Sequence, residues 1–134
     1  MERTFAIVKP DAVKRDLIGH ILTRMELEGF KIIDMKMTLL TKEQAEELYK
    51  VHKDKPFFEG QTDFMSSGPC VMLVLEGENV IQKFRNLMGA TDYKKAESNT
   101  IRYELATDIR HNIVHGSDSE ESSNFEIDFF NSIK

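Results

Sequence analysis

Residues Cys70-Val71-Met72-Leu73-Val74-Leu75 form an unbroken apolar run. Successive side chains of a strand point to opposite faces. A run without polar alternation therefore marks a strand buried on both sides. Around it the apolar spacing switches between the two regular periods. Thr4 to Lys9 reads as a short strand bounded by Pro10. Leu17, Ile18, Ile21, Leu22 and Met25 recur at helical spacing, with Gly29 as the C-cap. Ile33, Met35, Met37 and Leu39 alternate with Asp34, Lys36 and Thr38, the pattern of a half-buried strand. Thr41 and Gln44 have the spacing of a capping box, opening a helix through Ala45, Leu48 and Tyr49. A short helix is predicted from Phe57 to Met65, and another through Val80, Ile81, Phe84, Leu87 and Met88. Gly89 to His111 has no clear period. A connection of that length reads as a functional loop, the more so with Arg85 before it and Thr91, Arg102 and Arg110 within it. Asn112 to His115 is the last strand, and Ser119 caps a final helix with Glu120 and Glu121 in its first turn. The order strand, helix, strand, helices, strand, helix, strand, helix predicts a ferredoxin-like α+β sandwich: a split βαβ pair giving a four-stranded antiparallel sheet covered by helices. The 134 residues fit one domain.

The formal net charge is −5. That balance disfavours nonspecific nucleic-acid binding, which needs a basic face. It leaves room for one small polyanion held by a few converging cations. Cys70 is the single cysteine and lies in the apolar run, so it reads as a core thiol, and the chain has no internal disulfide. No apolar run approaches the roughly 20 residues that span a bilayer. No signal peptide is visible before the first strand. A cytoplasmic location is the expectation.

The stretch Asn112-Ile113-Val114-His115-Gly116-Ser117-Asp118-Ser119 carries the most chemistry. It puts an imidazole at a strand end beside a turn of small polar residues. Neutral imidazole is a nucleophile near pH 7 without an activating base. A lone histidine in such a place is more often structural, so the rest of the chain must decide. The four histidines have neither the spacing nor the cysteine partners of a zinc site. The seven glycines form neither of the common phosphate-binding fingerprints. Any phosphate must be held by side chains, for which Lys9, Arg85 and Arg102 are the candidates if they converge. In Pro56-Phe57-Phe58 one ring can stack on a nucleobase from the surface, or both can be core.

These residues match a known pattern. Val8-Lys9-Pro10-Asp11-Ala12-Val13, Lys55-Pro56-Phe57-Phe58, Ser67-Gly68-Pro69, Val74-Leu75-Glu76-Gly77, Leu87-Met88-Gly89-Ala90-Thr91, Thr100-Ile101-Arg102 and the stretch from Asn112 to Ser119 are its anchors. From Arg3 to Phe130 the chain closely resembles the nucleoside diphosphate kinases. The resemblance implies phosphoryl transfer in two displacements. His115 attacks the γ-phosphorus of a nucleoside triphosphate, and a nucleoside diphosphate later takes the group from it. It further implies that Glu126 orients the other ring nitrogen of His115. Lys9 bridges phosphate and ribose, with Tyr49 beside it. Arg85, Thr91 and Arg102 hold phosphates, Asn112 holds ribose hydroxyls and Phe57 stacks on the base. Magnesium arrives on the nucleotide phosphates, with little or no protein ligation. The family assembles from dimers into tetramers or hexamers.

The chain departs from the pattern at several points. Gln61 stands where an aliphatic residue usually closes over the base. Asp92-Tyr93 and Ser98-Asn99 replace the usual pairs in the long loop. Tyr103 replaces a small residue, and His111 precedes Asn112 where arginine or alanine is common. These bear on loop rigidity, subunit contacts and base preference rather than on the reaction. The rival readings are a binding or regulatory module that does not turn over, which has no need of the nucleophile, and a nucleic-acid-binding protein, which the acidic balance disfavours.

Overall fold

A computed structural model describes residues 1–133. Four strands, β1 (Glu2–Val8), β2 (Lys31–Thr38), β3 (Cys70–Gly77) and β4 (Val114–Gly116), form one sheet in the order β2-β3-β1-β4. Every neighbouring pair is antiparallel. The helices are α1 (Pro10–Lys14), α2 (Ile18–Leu27), α3 (Lys42–Leu48), α4 (Phe58–Met65), α5 (Val80–Met88), α6 (Ile101–Leu105) and α7 (Glu120–Ser132). This is the ferredoxin-like arrangement, with β3 and β1 central.

The apolar run of β3 is explained by two cores. Val71, Leu73 and Leu75 pack with Ala6, Val8, Ile21, Met25 and Phe84 on one face. Cys70, Met72 and Val74 pack with Phe5, Ile7, Leu48, Tyr49, Met65 and Phe130 on the other. The second layer is supplied by α3, α4 and α7. The Thr41 hydroxyl accepts from the Gln44 N–H (3.0 Å) and the Gln44 side chain accepts from the Thr41 N–H (2.9 Å), closing the capping box that starts α3. Gly29 follows the end of α2 at φ 87, the left-handed conformation its position requires.

Three expectations need correction. Met35, Met37 and Leu39 are 50%, 59% and 60% exposed. Their strand is an edge, and its pairing with β3 shifts between Ile32 and Asp34. Periodicity groups the methionines on one face, but no helix covers that face at the outer end of the strand. The connection from Gly89 to His111 is not all loop. A 3-10 turn covers Tyr93–Lys95, and α6 covers Ile101–Leu105, started by Thr100, whose hydroxyl accepts from the Tyr103 N–H. One short turn is too brief to imprint a period. The last strand begins at Val114, because Ile113 has φ 79 and cannot pair as a strand residue. Among the described residues no helix is long and apolar enough to cross a membrane.

Candidate active site

The chain enters β4 through a tight turn. The Val114 N–H donates to the Asn112 carbonyl (2.9 Å) with Ile113 between them at positive φ, a γ-turn of the strained kind. Left-handed backbone at a β-branched residue costs about 1–3 kcal/mol and persists only where its surroundings over-determine it. The surroundings do so here. The Lys9 N–H donates to the Ile113 carbonyl (2.8 Å), and the Ile113 N–H donates to Asp11 Oδ2 (3.2 Å). Lys9 Nζ donates to Asn112 Oδ1 (2.7 Å). Arg102 donates through Nε to the Asn112 carbonyl (3.3 Å), and through its terminal nitrogens to the carbonyls of Gly89 (3.0 Å) and Val114 (2.8 Å).

This turn aims His115, the next residue but one. Its Nε2 lies 2.9 Å from Glu126 Oε1 on α7, and the same oxygen accepts from Ser117 Oγ (2.8 Å). A carboxylate oxygen only accepts, so the ring nitrogen facing it is the N–H. Nδ1 then carries the lone pair and has no hydrogen-bond partner among the described residues. The rings of Phe5 and Tyr49 pack edge-on against the imidazole at 6.0 and 5.9 Å. The Tyr49 hydroxyl is buried with no partner among the described residues. Burial pushes its phenol far above the usual range.

The imidazole faces a cleft of about 1400 Å³. Lys9, Tyr49, Phe57, Arg85, Thr91, Arg102, Asn112, His115 and Glu126 all line it, so the fold brings together every residue to which the resemblance gives a role. Lys9 and Arg102 are buried, while Arg85 and Thr91 are exposed. Burial, then the Arg102 charge, pushes the Lys9 ammonium down to about 7, with Asp11 opposing. Burial likewise brings the Arg102 guanidinium down to about 10. Lys9, Arg85, Lys95, Arg102 and Arg110 line the cleft beside Glu97, Asp118, Glu121 and Glu126, so cations slightly outnumber acids there although the chain as a whole carries net charge −5. Among the described residues no three of His, Cys, Asp and Glu gather in a way that could hold a metal ion.

At the other end Phe57 keeps 47% of its surface open beside the His52 ring, 5.4 Å away, while Phe58 is half-buried against the second core. Gln61 is half-buried and shares the cleft wall with Val51 and Ile109. His111 does not face the cleft. Its Nδ1 lies 2.8 Å from Asp108 Oδ2, and its ring packs edge-on against Phe64 of α4, centroids 4.8 Å apart. It thus pins the segment before Asn112 to the second layer. Tyr93 is half-buried in its 3-10 turn and Tyr103 is exposed on α6.

Sequence reasoning missed two residues of this site. Ser117 was visible only as a small polar residue; its bond to a buried glutamate depends on β4 and α7 meeting. Asp11 was visible only within the stretch Val8 to Val13 beside Lys9; the short helix α1 that carries it was not predicted, and its acceptor role depends on the turn at Ile113, which no local propensity announces.

The comparisons agree with this geometry. Residues 2–133 match the family model described as nucleoside diphosphate kinase. A nucleoside diphosphate kinase of Desulfosudis oleivorans is 57% identical over 130 residues, covering 97% of this chain and 94% of the relative. One of Campylobacter jejuni is 55% identical over 130 residues, covering 97% and 95%. The crystal structure of the Aquifex aeolicus nucleoside diphosphate kinase superposes with a TM-score of 0.94 at 47% identity, covering 96% of this chain and 94% of that one. That of Encephalitozoon cuniculi does so with a TM-score of 0.94 at 35% identity, covering 97% and 88%. Motif, fold and cleft converge with these likenesses: the chain belongs to the nucleoside diphosphate kinase family.

Proposed function

We propose that the chain moves the γ-phosphoryl group of a nucleoside triphosphate to a nucleoside diphosphate by way of His115 Nδ1. One observation carries the assignment of that atom: Nε2 is engaged by Glu126, and Nδ1 is left with its lone pair in a cation-lined cleft. In the first half-reaction the Nδ1–P bond forms, the bond from the γ-phosphorus to the bridging oxygen breaks, and the diphosphate departs with the bond's electron pair. The ring gains positive charge, which the Glu126 carboxylate stabilises across the Nε2–H bond. The second half-reaction is the reverse on a new diphosphate. A phosphorylated imidazole keeps a high transfer potential, so both halves are nearly balanced.

Catalysis of this kind is positioning and charge neutralisation. Lys9, Arg85 and Arg102 neutralise phosphate oxygens, with Thr91 adding a hydroxyl and Asn112 serving the ribose. Tyr49 supports the imidazole. Phe57 stacks on the base, whose face is common to purines and pyrimidines, so base specificity is broad. Magnesium fits as an ion carried by the substrate: the cleft acids Glu97, Asp118, Glu121 and Glu126 do not gather into a group that could hold a metal ion, and a hard cation would take its ligands from phosphate oxygens and water. It supplies further neutralisation of the transferring group.

A homo-oligomer built from dimers, tetrameric or hexameric, completes the proposal. It is supported by the uncovered edge strand β2, whose Met35 and Met37 are exposed together with Leu39 just beyond its end. The lone buried Cys70 suits a reducing compartment such as the cytoplasm. The test is incubation with γ-labelled ATP. An acid-labile, base-stable label on His115 that is discharged by any added diphosphate is the expected result. An acid-stable label, or one that survives in His115→Ala, overturns the mechanism.

A further inference from the structure

The transfer derived above leaves one buried acid unused. Asp11 stands in the first turn of α1 with Oδ2 accepting from the Ile113 N–H (3.2 Å). Its Oδ1 is buried without a partner among the described residues. Burial raises its pKa, the Lys9 charge opposing. Unlike Lys9, Arg102 and Asn112, it does not line the cleft. It nonetheless holds the amide of Ile113, whose left-handed turn sits between Asn112 and the strand that carries His115. The other groups clamping that turn are the Lys9 backbone N–H on the Ile113 carbonyl and the Arg102 side chain on the Asn112 and Val114 carbonyls. Arg102 is also assigned to phosphate, so Asp11 is the side-chain clamp on the turn that stands outside the cleft.

We propose that Asp11 is a positioning residue for the transfer reaction, holding the turn that fixes Asn112 against Lys9 and His115 against Glu126, and serving as the counter-charge that keeps the buried Lys9 cationic. This rests on the assignment of Lys9 and His115 made above. Two kinds of consequence follow. Losing the acceptor loosens a strained turn, so the nucleophile is misplaced. Losing the charge acts on Lys9, which is faced by Arg102 from α6 and by Asp11 from α1; Asp11 is itself faced by Lys9 and, from the segment before β4, by His111. Asp11 raises the Lys9 pKa and Arg102 lowers it. Without the carboxylate the ammonium loses its proton at a lower pH, and a rate that needs the cation falls off earlier as pH rises.

Asp11→Asn and Asp11→Ala separate the two. The asparagine oxygen still accepts from the Ile113 N–H but carries no charge; alanine does neither. Steady-state exchange between ATP and a second diphosphate, measured from about pH 5.5 to 9, gives kcat and kcat/KM, the latter reporting the free enzyme. Asp11→Ala is expected to lower kcat by roughly tenfold or more, as misplaced reacting groups do. Asp11→Asn is expected to lose least near the acid end. Its alkaline limb of kcat/KM is expected to move acidward by about half a pH unit or more, as removal of a neighbouring opposite charge does. A folded Asp11→Ala with wild-type kcat overturns the proposal, as does an alkaline limb in Asp11→Asn that coincides with the wild type's. A lowered Tm with rates and limb unchanged assigns Asp11 to stability alone and also overturns it. If Asp11→Ala fails to fold, the limb in Asp11→Asn decides. A wild-type protein that takes no label on His115 defeats the underlying mechanism instead, so the two failures are distinguishable.

Discussion

Lys9 is useful to the reaction as a cation and unfavourable to the fold as one. Its folded pKa is about 7 against roughly 10.4 for an unperturbed lysine. Between those values the unfolded chain binds more protons than the folded one, so the stability of the ligand-free protein rises with pH across that interval. Cys70, pushed up to about 12 by burial, works in the opposite sense only above the ordinary thiol pKa near 8.5. The clean window is therefore about pH 7 to 8.5. Thermal unfolding at low salt is expected to show Tm climbing through that window in the wild type and a flatter profile in Lys9→Met, whose kcat/KM is expected to fall by about a hundredfold. Equal slopes in the two proteins would count against the buried cation. Gln61 raises a second question at this scale, because its amide can both donate and accept. With its polar end turned from the base, specificity constants for the common diphosphates should lie within roughly tenfold, about 1.4 kcal/mol. Gln61→Leu should then shift all of them together. A hundredfold preference for one base that Gln61→Leu abolishes would mean that Gln61 reads the base edge.

The elements meet through close approaches that substitution can probe. A Cβ on Gly116 in β4 would lie 2.7 Å from the Phe84 ring and 2.8 Å from the Met88 methyl, so the missing side chain is what lets α5 close on β4. Gly116→Ala is expected to push α5 and its Arg85 outward, destabilising the protein by about 1–3 kcal/mol as overpacking does. The readout is the urea midpoint together with the KM for nucleotide; a wild-type midpoint would show that α5 yields freely. The same junctions mark what the sequence could reveal. The apolar run of β3 announced burial on both faces, and Thr41 with Gln44 and Ser119 announced the starts of α3 and α7, because these signals are local. The turn at Ile113 stayed hidden because an isoleucine at positive φ runs against its own preference and is imposed by Lys9, Asp11 and Arg102 from elsewhere in the chain. For the candidate site, motifs named the residues that line the cleft. Their convergence, and the engagement of Arg102 with backbone carbonyls, required the fold.

For the molecule as a whole, the exposed methionines at the free edge of β2 are the feature that a lone chain leaves unused. Long apolar edges invite pairing, and charge there blocks it. Met35→Lys with Met37→Lys is expected to yield smaller species by sedimentation without loss of secondary structure; an unchanged sedimentation coefficient would move the interface elsewhere. The cation-lined cleft has a consequence of another kind. Lys9, Arg85 and Arg102 repel one another until an anion arrives, so nucleotide acts as a structural counter-ion as well as a substrate. Ligand at about a hundred times its Kd stabilises a fold by roughly 2.7 kcal/mol. When nucleotide is plentiful, opening is suppressed and proteases find little to cut. When it is scarce, that protection is lost and the fold opens more often, so the enzyme's lifetime in a cell would follow the supply of the molecules it interconverts.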